Sequence, residues 1–198
     1  MLTTDIAVSR DSSKVVDTED GAALKVYTYG SGQDGMAGAT AVLYKGDAVT
    51  KILKYQLGPL EWHITYKVEL VGLLLGLWII RQEPKAGSAS IKADSQAAIL
   101  ALRAHRTGPG SYLLDEIRKL SASLRAQSLT DLQLKISWVS SHNGVAGCER
   151  ADVEAKAVAA GSSSDEPELL PLLHSPLPVS VTTAKQHFRA TLTADWKN

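Results

Sequence analysis

The chain has 198 residues, which suits one domain of ordinary size with additional tails. Hydrophobic residues make up 44% and charged residues 21% of the sequence, a composition that permits a full hydrophobic core and argues against global disorder. Because the formal net charge is zero, overall charge does not indicate a nucleic-acid partner, and any basic surface must be local.

The first part of the sequence predicts a lead-in, three strands and a helix. Residues 1–21 are polar and carry both signs of charge, so we expect a flexible lead-in. Apolar and polar residues alternate from Leu24 to Thr28, and strand-like segments bounded by glycine turns follow at Ala39–Tyr44 and Ala48–Gln56. Three such segments in succession predict an antiparallel meander. The apolar run Thr65–Arg81 then predicts a buried helix.

The second part predicts strands that alternate with helices. Short apolar strands are expected at Ala89–Ala93 and Leu132–Val139. Helical patterns cover Ser95–Ala104, Ser111–Gln127 and Glu149–Ala160. A meander followed by β/α units predicts an α/β fold with a mixed five-stranded sheet, in which parallel strands extend the meander and helices cover both faces.

The composition changes after Gly161. Residues 161–181 are rich in serine and proline and predict a linker. Residues 182–198 predict a C-terminal helix or the start of a following region. The predicted domain therefore covers residues 22–160.

The sequence also bears on where the protein is found. Its one cysteine, Cys148, excludes an internal disulfide and fits a reducing compartment. The N-terminal segment lacks the apolar core of a signal peptide, and the most apolar run, Val68–Ile80, is only 13 residues long and contains Glu69. We therefore expect an intracellular protein, in the cytoplasm or nucleus, with no membrane partner.

Four residues are candidates for a site, although each also has an ordinary structural explanation. Asp94 follows an apolar strand, where it could cap the next helix or bind a ligand at the carboxyl end of the strand. Glu69 lies inside an apolar helix and marks either its margin or a polar site. His142 lies in a glycine-containing loop, and Asp152 lies where it could favour a helix dipole. The four together favour a site.

This combination resembles the ribonuclease H family, most closely the domains of fungal non-LTR retrotransposons. The resemblance covers about residues 22–160 and rests on four stretches, 26–31, 63–70, 91–98 and 138–152. It implies a ribonuclease H-like fold and Mg²⁺-dependent endonucleolytic cleavage of RNA in RNA–DNA hybrids. It also implies a hybrid partner recognised by groove shape and 2′-hydroxyls, and adjacent reverse transcriptase domains in the same polyprotein.

The resemblance assigns roles to individual residues. It implies that Glu69, Asp94 and Asp152 are catalytic carboxylates that bind Mg²⁺, for which Mn²⁺ can substitute, and that His142 assists proton transfer or product release. Two such ions about 4 Å apart would activate water and stabilise the leaving oxygen. Substrate contacts are implied for Gly30, Ser31, Gln96 and Asn143.

Tyr29 departs from the family, which has a metal-bridging aspartate at this position. A phenol has a pKa near 10 and is neutral at pH 7. Loss of one unit charge about 4 Å from a cation costs roughly 4 kcal/mol at an effective dielectric constant near 20, or on the order of a thousandfold in rate. We therefore expect weakened Mg²⁺ binding and severely impaired cleavage in this copy.

Two other functions remain open at this point. The first is a fully active nuclease that holds metal with three carboxylates. The second is a non-catalytic module that binds hybrid or serves a structural role. Phosphate contacts for such a module could come from a set of basic residues, namely Arg103, His105, Arg106, Arg118, Lys119 and Arg125.

Overall fold

The computed structural model of the chain describes residues 2–104, 108, 110–127, 131–141, 144–161, 163–179, 183–186, 188, 189 and 192. Its strands are β1 (Thr3–Asp5), β2 (Leu24–Gln33), β3 (Met36–Lys45), β4 (Ala48–Pro59), β5 (Ser88–Ala93) and β6 (Gln133–Trp138). Its longer helices are α1 (Arg10–Thr18), α2 (Thr65–Arg81), α3 (Gln96–Arg103), α4 (Ser111–Gln127) and α5 (Ala146–Ala160). The strands form one mixed sheet in the order β1-β6-β5-β2-β3-β4.

The predicted mixed α/β fold is confirmed. Strands β2, β3 and β4 form an antiparallel meander, and β5 and β6 extend it as parallel strands. The first hairpin turns at Asp34 and Gly35, whose φ angles are 51° and 77°. Helix α5 begins at Ala146 rather than Glu149, because the residues at its start pack into the core beside Tyr27.

The register of the parallel strands fixes where polar side chains meet. Thr28 of β2 pairs with Ala93, the last residue of β5, so Tyr29, still within β2, lies level with Asp94 just after β5. The carboxyl ends of parallel strands are where α/β folds place their ligand sites. This edge of the sheet therefore carries the predicted site.

Helix α2 packs very closely on the sheet. A Cβ atom on Gly76 would lie 3.0 Å from Thr28 Cγ2, and one on Gly72 would lie 3.5 Å from Thr28 Cβ. The two glycines therefore let the α2 backbone approach β2 more closely than larger residues would permit. This approach brings Glu69, one turn earlier on α2, against the backbone of Gly30.

Regular structure begins well before Ala22, contrary to the prediction for residues 1–21. Strand β1 adds a sixth, parallel strand beside β6, and Ser9 caps α1 through a capping box with Ser12. The polar composition that suggested a lead-in has another cause. The segment packs largely through polar contacts, including the ion pair between Asp20 and Lys92.

The segment predicted as a linker also packs on the domain. Residues 163–179 contain two short 3₁₀ helices, Glu166–Glu168 and Pro171–Leu173. Four leucines of the segment join the main core: Leu169, Leu170, Leu173 and Leu177. Of the predicted C-terminal helix, the described residues 183–186, 188, 189 and 192 are helical, and the others lie outside the described residues. No helix in the described part of the chain is both long and apolar enough to cross a membrane.

Candidate active site

Four predicted side chains converge at the carboxyl edge of the parallel strands. Tyr29 comes from β2, Glu69 from α2, Asp94 from the end of β5 and Asp152 from α5. The three carboxyl groups all act electrostatically on the phenol of Tyr29. Four separate elements therefore supply one acidic cluster, which we call the acid site.

Glu69 is the most deeply placed member of the acid site. Its side chain is buried, and its Oε1 accepts a hydrogen bond of 3.2 Å from the Gly30 amide. A Cβ atom on Gly30 would lie 2.9 Å from this oxygen, so the contact requires glycine on the strand. Burial and the neighbouring charge of Asp94 raise the pKa of Glu69 well above its ordinary value.

Glu69 and Asp94 influence each other's ionisation. Burial raises the pKa of Asp94, the Asp152 charge adds to the increase, and the interaction with Ser141 opposes it. The charge of Asp94 adds to the effect of burial on the pKa of Glu69, so the pair favours a proton on Glu69.

Backbone and helix contacts hold the other two acids. Trp138 Nε1 donates to the carbonyl oxygen of Asp94 at 2.9 Å and fixes the end of β5. Asp152 is buried on α5, and its Oδ2 forms an ion pair of 2.6 Å with Nζ of Lys156, one turn later. Lys156 thus supplies a positive charge to Asp152 from the same helix.

Tyr29 lies within this cluster as a neutral, half-buried side chain. Burial raises the pKa of its phenol to about 12, with further increases from Asp94, Asp152 and Glu69 and a decrease from Ser141. A phenol of this pKa does not ionise at neutral pH. The position therefore contributes bulk and a hydroxyl group, but no charge.

The acid site has oxygen ligands of the kind that Mg²⁺ prefers, but they are not arranged to bind it. Glu69 Oε2, Asp94 Oδ1 and Asp152 Oδ1 are buried without a hydrogen-bond partner in the described structure. Nevertheless, no three acidic, histidine or cysteine side chains among the described residues are arranged to hold a metal ion. The raised pKa of Glu69 favours its protonated form and Asp152 is paired with Lys156, so these residues as placed do not fit a magnesium centre.

Of the other predicted site residues, two lie on β2, one lies on α3 and two lie outside the described residues. Gly30 contacts Glu69 directly, and Ser31 follows it as a half-buried residue of β2. Gln96 is the first residue of α3 and is exposed. His142 and Asn143 lie outside the described residues.

Sequence reasoning missed two residues of the acid site. Ser141 lowers the pKa of both Tyr29 and Asp94, and Lys156 pairs with Asp152. The signal for Ser141 was the Ser140-Ser141 pair just before the predicted catalytic histidine. The signal for Lys156 was its spacing of four residues from Asp152, which places the two on one helix face.

Several basic residues considered for phosphate contacts bind protein groups instead. Arg103 donates to Thr4, and Arg118 donates to the carbonyl oxygen of Ala104 at 2.7 Å. Lys119 remains largely exposed, 3.7 Å from Glu116. His105 and Arg106 lie outside the described residues. The described part of this set therefore gives little support to a dedicated phosphate-binding surface.

Comparisons with solved structures identify the fold. Ribonuclease H1 from the halophilic archaeon Halobacterium salinarum is similar with a TM-score of 0.50 and 20% identity, over 68% of this chain and 95% of that chain. The N-terminal ribonuclease H domain of a Mycobacterium tuberculosis protein gives 0.51 and 20%, over 69% and 98%. LC11-RNase H1, solved in complex with RNA/DNA hybrid, gives 0.52 and 13%, over 69% and 96%.

Searches against protein-family models and against curated proteins gave no match. The structural similarity combines low sequence identity with nearly complete coverage of each neighbour. For the sheet and helices that build the acid site, the similarity is therefore one of fold alone. The chain has the ribonuclease H fold.

Proposed function

We propose that this chain is a ribonuclease H-like domain of a retroelement, that it binds RNA–DNA hybrid, and that its cleavage of the RNA strand is severely impaired. The observation that carries the proposal is the position of Tyr29 among three carboxyl groups. The acids supply the residue types that hybrid cleavage requires. The phenol occupies the position at which the family has its fourth carboxylate.

The acid site is stabilised by groups other than metal ions. The raised pKa values of Glu69 and Asp94 favour a proton on this pair, and Lys156 forms an ion pair with Asp152. The neutral phenol of Tyr29 completes the cluster without adding repulsion. A divalent cation would stabilise such a site only slightly, because it would have to displace a proton and a lysine before it could bind the carboxylate oxygens. We therefore expect weak binding of Mg²⁺ or Mn²⁺.

Hybrid binding is proposed because it depends on surfaces outside the acid cluster. Ser31 and Gln96 flank the acid site, and Gln96 is exposed at the start of α3. A structural neighbour of this chain was solved in complex with RNA/DNA hybrid. Contacts with the sugar-phosphate backbone and 2′-hydroxyls do not require the acids to bind metal.

The proposal can be tested by comparing the wild-type protein with Tyr29→Asp and Tyr29→Asn. Asparagine matches aspartate in size but lacks its charge, so it separates the effect of bulk from that of charge. We expect Tyr29→Asp alone to gain hybrid cleavage in Mg²⁺ or Mn²⁺ and to bind Mg²⁺ more tightly by calorimetry. Unchanged Mg²⁺ affinity in Tyr29→Asp would count against the assignment of the acid site.

The same geometry favours a second candidate, a module that holds hybrid without cutting it. The specific support for it is the ion pair of Asp152 with Lys156, together with the raised pKa values of Glu69 and Asp94. This candidate predicts salt-dependent hybrid binding by the wild-type protein. It also predicts that Tyr29→Asp binds hybrid equally well and still fails to cleave.

A further inference from the structure

Helix α1 contacts the connection between β6 and α5, which leads to Asp152. Ser13 is the one fully buried residue of α1, all of which is described. Its hydroxyl donates to the Arg10 carbonyl at 2.6 Å and accepts from the buried amide of Ser140 at 3.1 Å. This hydroxyl both donates and accepts, so it is fixed in place and holds Ser140, the second residue of the connection.

Helix α1 also contacts the far end of the same connection. The Lys14 ammonium lies 3.5 Å from the position that a Cβ atom on Gly144 would occupy. Ser13 and Lys14 are neighbours on α1, whereas Ser140 and Gly144 lie near the two ends of the connection, which comprises residues 139–145. Helix α1 therefore contacts described residues near both ends of the connection.

A second set of contacts connects α1 to the first turn of α5 through Tyr27. Asp17 Oδ1 accepts a hydrogen bond of 2.9 Å from the Tyr27 hydroxyl. The Tyr27 ring lies directly over Gly147, where a Cβ atom would come within 2.3 Å of the ring. Because glycine permits this contact, the Tyr27 ring determines how closely the first turn of α5 approaches β2, five residues before Asp152.

We propose that helix α1 is a positioning element of the acid site, acting through Ser13 on the connection and through Asp17 and Tyr27 on the start of α5. Ser13 and Asp17 touch no acid of the site. They set the position of the elements that carry Ser141 and Asp152. The effect on catalysis rests on the proposed function, whereas the effect on the position of the connection and α5 does not.

Hydrogen exchange tests the positional part without any assay of activity. We expect Ser13→Ala to speed exchange of the Ser140 amide at least tenfold, and Asp17→Asn to speed exchange at the start of α5. Two controls on the same helix are Thr18→Ala, which removes a hydroxyl bonded to the Lys14 carbonyl, and Asp11→Asn, which removes an exposed charge. Both controls should leave exchange in residues 139–155 unchanged.

A double-mutant cycle distinguishes a specific effect of the Asp17–Tyr27 contact from general destabilisation. If Asp17 acts through the Tyr27 hydroxyl, Asp17→Asn combined with Tyr27→Phe should change exchange in α5 no more than either variant alone. Additive effects in the double variant would overturn this route. Unchanged local exchange in both Ser13→Ala and Asp17→Asn, or an equal rise across the whole chain, would overturn the proposal.

Cleavage by Tyr29→Asp supplies the functional readout. In that background we expect Ser13→Ala and Asp17→Asn to lower kcat about tenfold with KM unchanged, while Thr18→Ala and Asp11→Asn leave both unchanged. Altered exchange with unchanged kcat would overturn the catalytic part of the proposal. If Tyr29→Asp does not cleave with α1 intact, the proposed function fails, and altered exchange still supports the positional part.

Discussion

Glu69 Oε1 accepts a hydrogen bond of 3.2 Å from the Gly30 amide, which holds the carboxyl group of Glu69 in a buried place near Asp94. Burial and the charge of Asp94 raise the pKa of Glu69 well above its ordinary value, so the folded protein favours the protonated form of Glu69. This relationship connects the stability of the domain with the acid site.

The raised pKa of Glu69 predicts that stability falls as pH rises. Burial and the charge of Asp94 raise the pKa of Glu69 in the folded protein well above its ordinary value of 4.5, so the folded state binds more protons than the unfolded state. Its stabilising contribution is therefore complete below about pH 4.5 and is lost as pH rises through the folded pKa. Denaturant unfolding from pH 4.5 to 8 should show this decline.

Glu69→Gln tests the origin of that decline. A glutamine can donate to Asp94 and accept from Gly30 without needing a proton. We expect it to raise the free energy of unfolding at pH 8 by on the order of 1 kcal/mol, and to flatten the pH dependence. A variant that is less stable than wild type at pH 8, with the same pH dependence, would show that the decline does not originate at Glu69.

Gly30→Ala should disrupt the site from the strand side. The new Cβ would lie 2.9 Å from Glu69 Oε1 and 3.0 Å from the Glu69 amide nitrogen, so α2 would have to move. We expect a loss of about 1–3 kcal/mol in the free energy of unfolding. Gly21→Ala is the matched control, because no atom lies within 4 Å of its added Cβ. Equal stability of the two variants would contradict the close contact.

Residues 163–179 should behave as part of the domain. Four leucines of the segment are buried in the main core. Two of its carbonyl oxygens also accept hydrogen bonds from the domain: that of Glu168 from Trp78 Nε1 and that of Pro178 from Lys67 Nζ, each at 2.8 Å. Truncation after Gly161 should cost at least about 3 kcal/mol, since each buried leucine contributes roughly 1.5–3 kcal/mol. Truncation after Val179 should have a much smaller effect. Thermal or denaturant unfolding of the two truncated proteins distinguishes a packed segment from a linker.

The sequence was sufficient to predict the central sheet, because alternation in β2 and the apolar runs of α2 and β5 reflect burial directly. The family resemblance also implied that Tyr29 would lie beside the acids, and the charges of Glu69, Asp94 and Asp152 do act on its phenol. The sequence did not predict β1 and α1. Hydrophobic periodicity detects apolar packing, whereas α1 packs through a serine hydroxyl and an aspartate.

Other features depend on three-dimensional neighbours and leave little trace in sequence. Prolines in residues 163–179 suggested a linker, although their spacing also suits short 3₁₀ turns that present leucines to one side. The raised pKa of Glu69 depends on its burial and on the charge of Asp94 together. No motif encodes it, because each acid alone is compatible with an ordinary ionised state.

The central claim is that Tyr29 disables an otherwise complete set of acids. The most direct test measures single-turnover cleavage of the RNA strand of an RNA–DNA hybrid, in Mg²⁺, by the wild-type protein, Tyr29→Asp and Tyr29→Asn. The account predicts that Tyr29→Asp cleaves on the order of a thousandfold faster than the other two, because it restores one unit charge beside a bound cation. Wild-type cleavage as fast as that of Tyr29→Asp would contradict it.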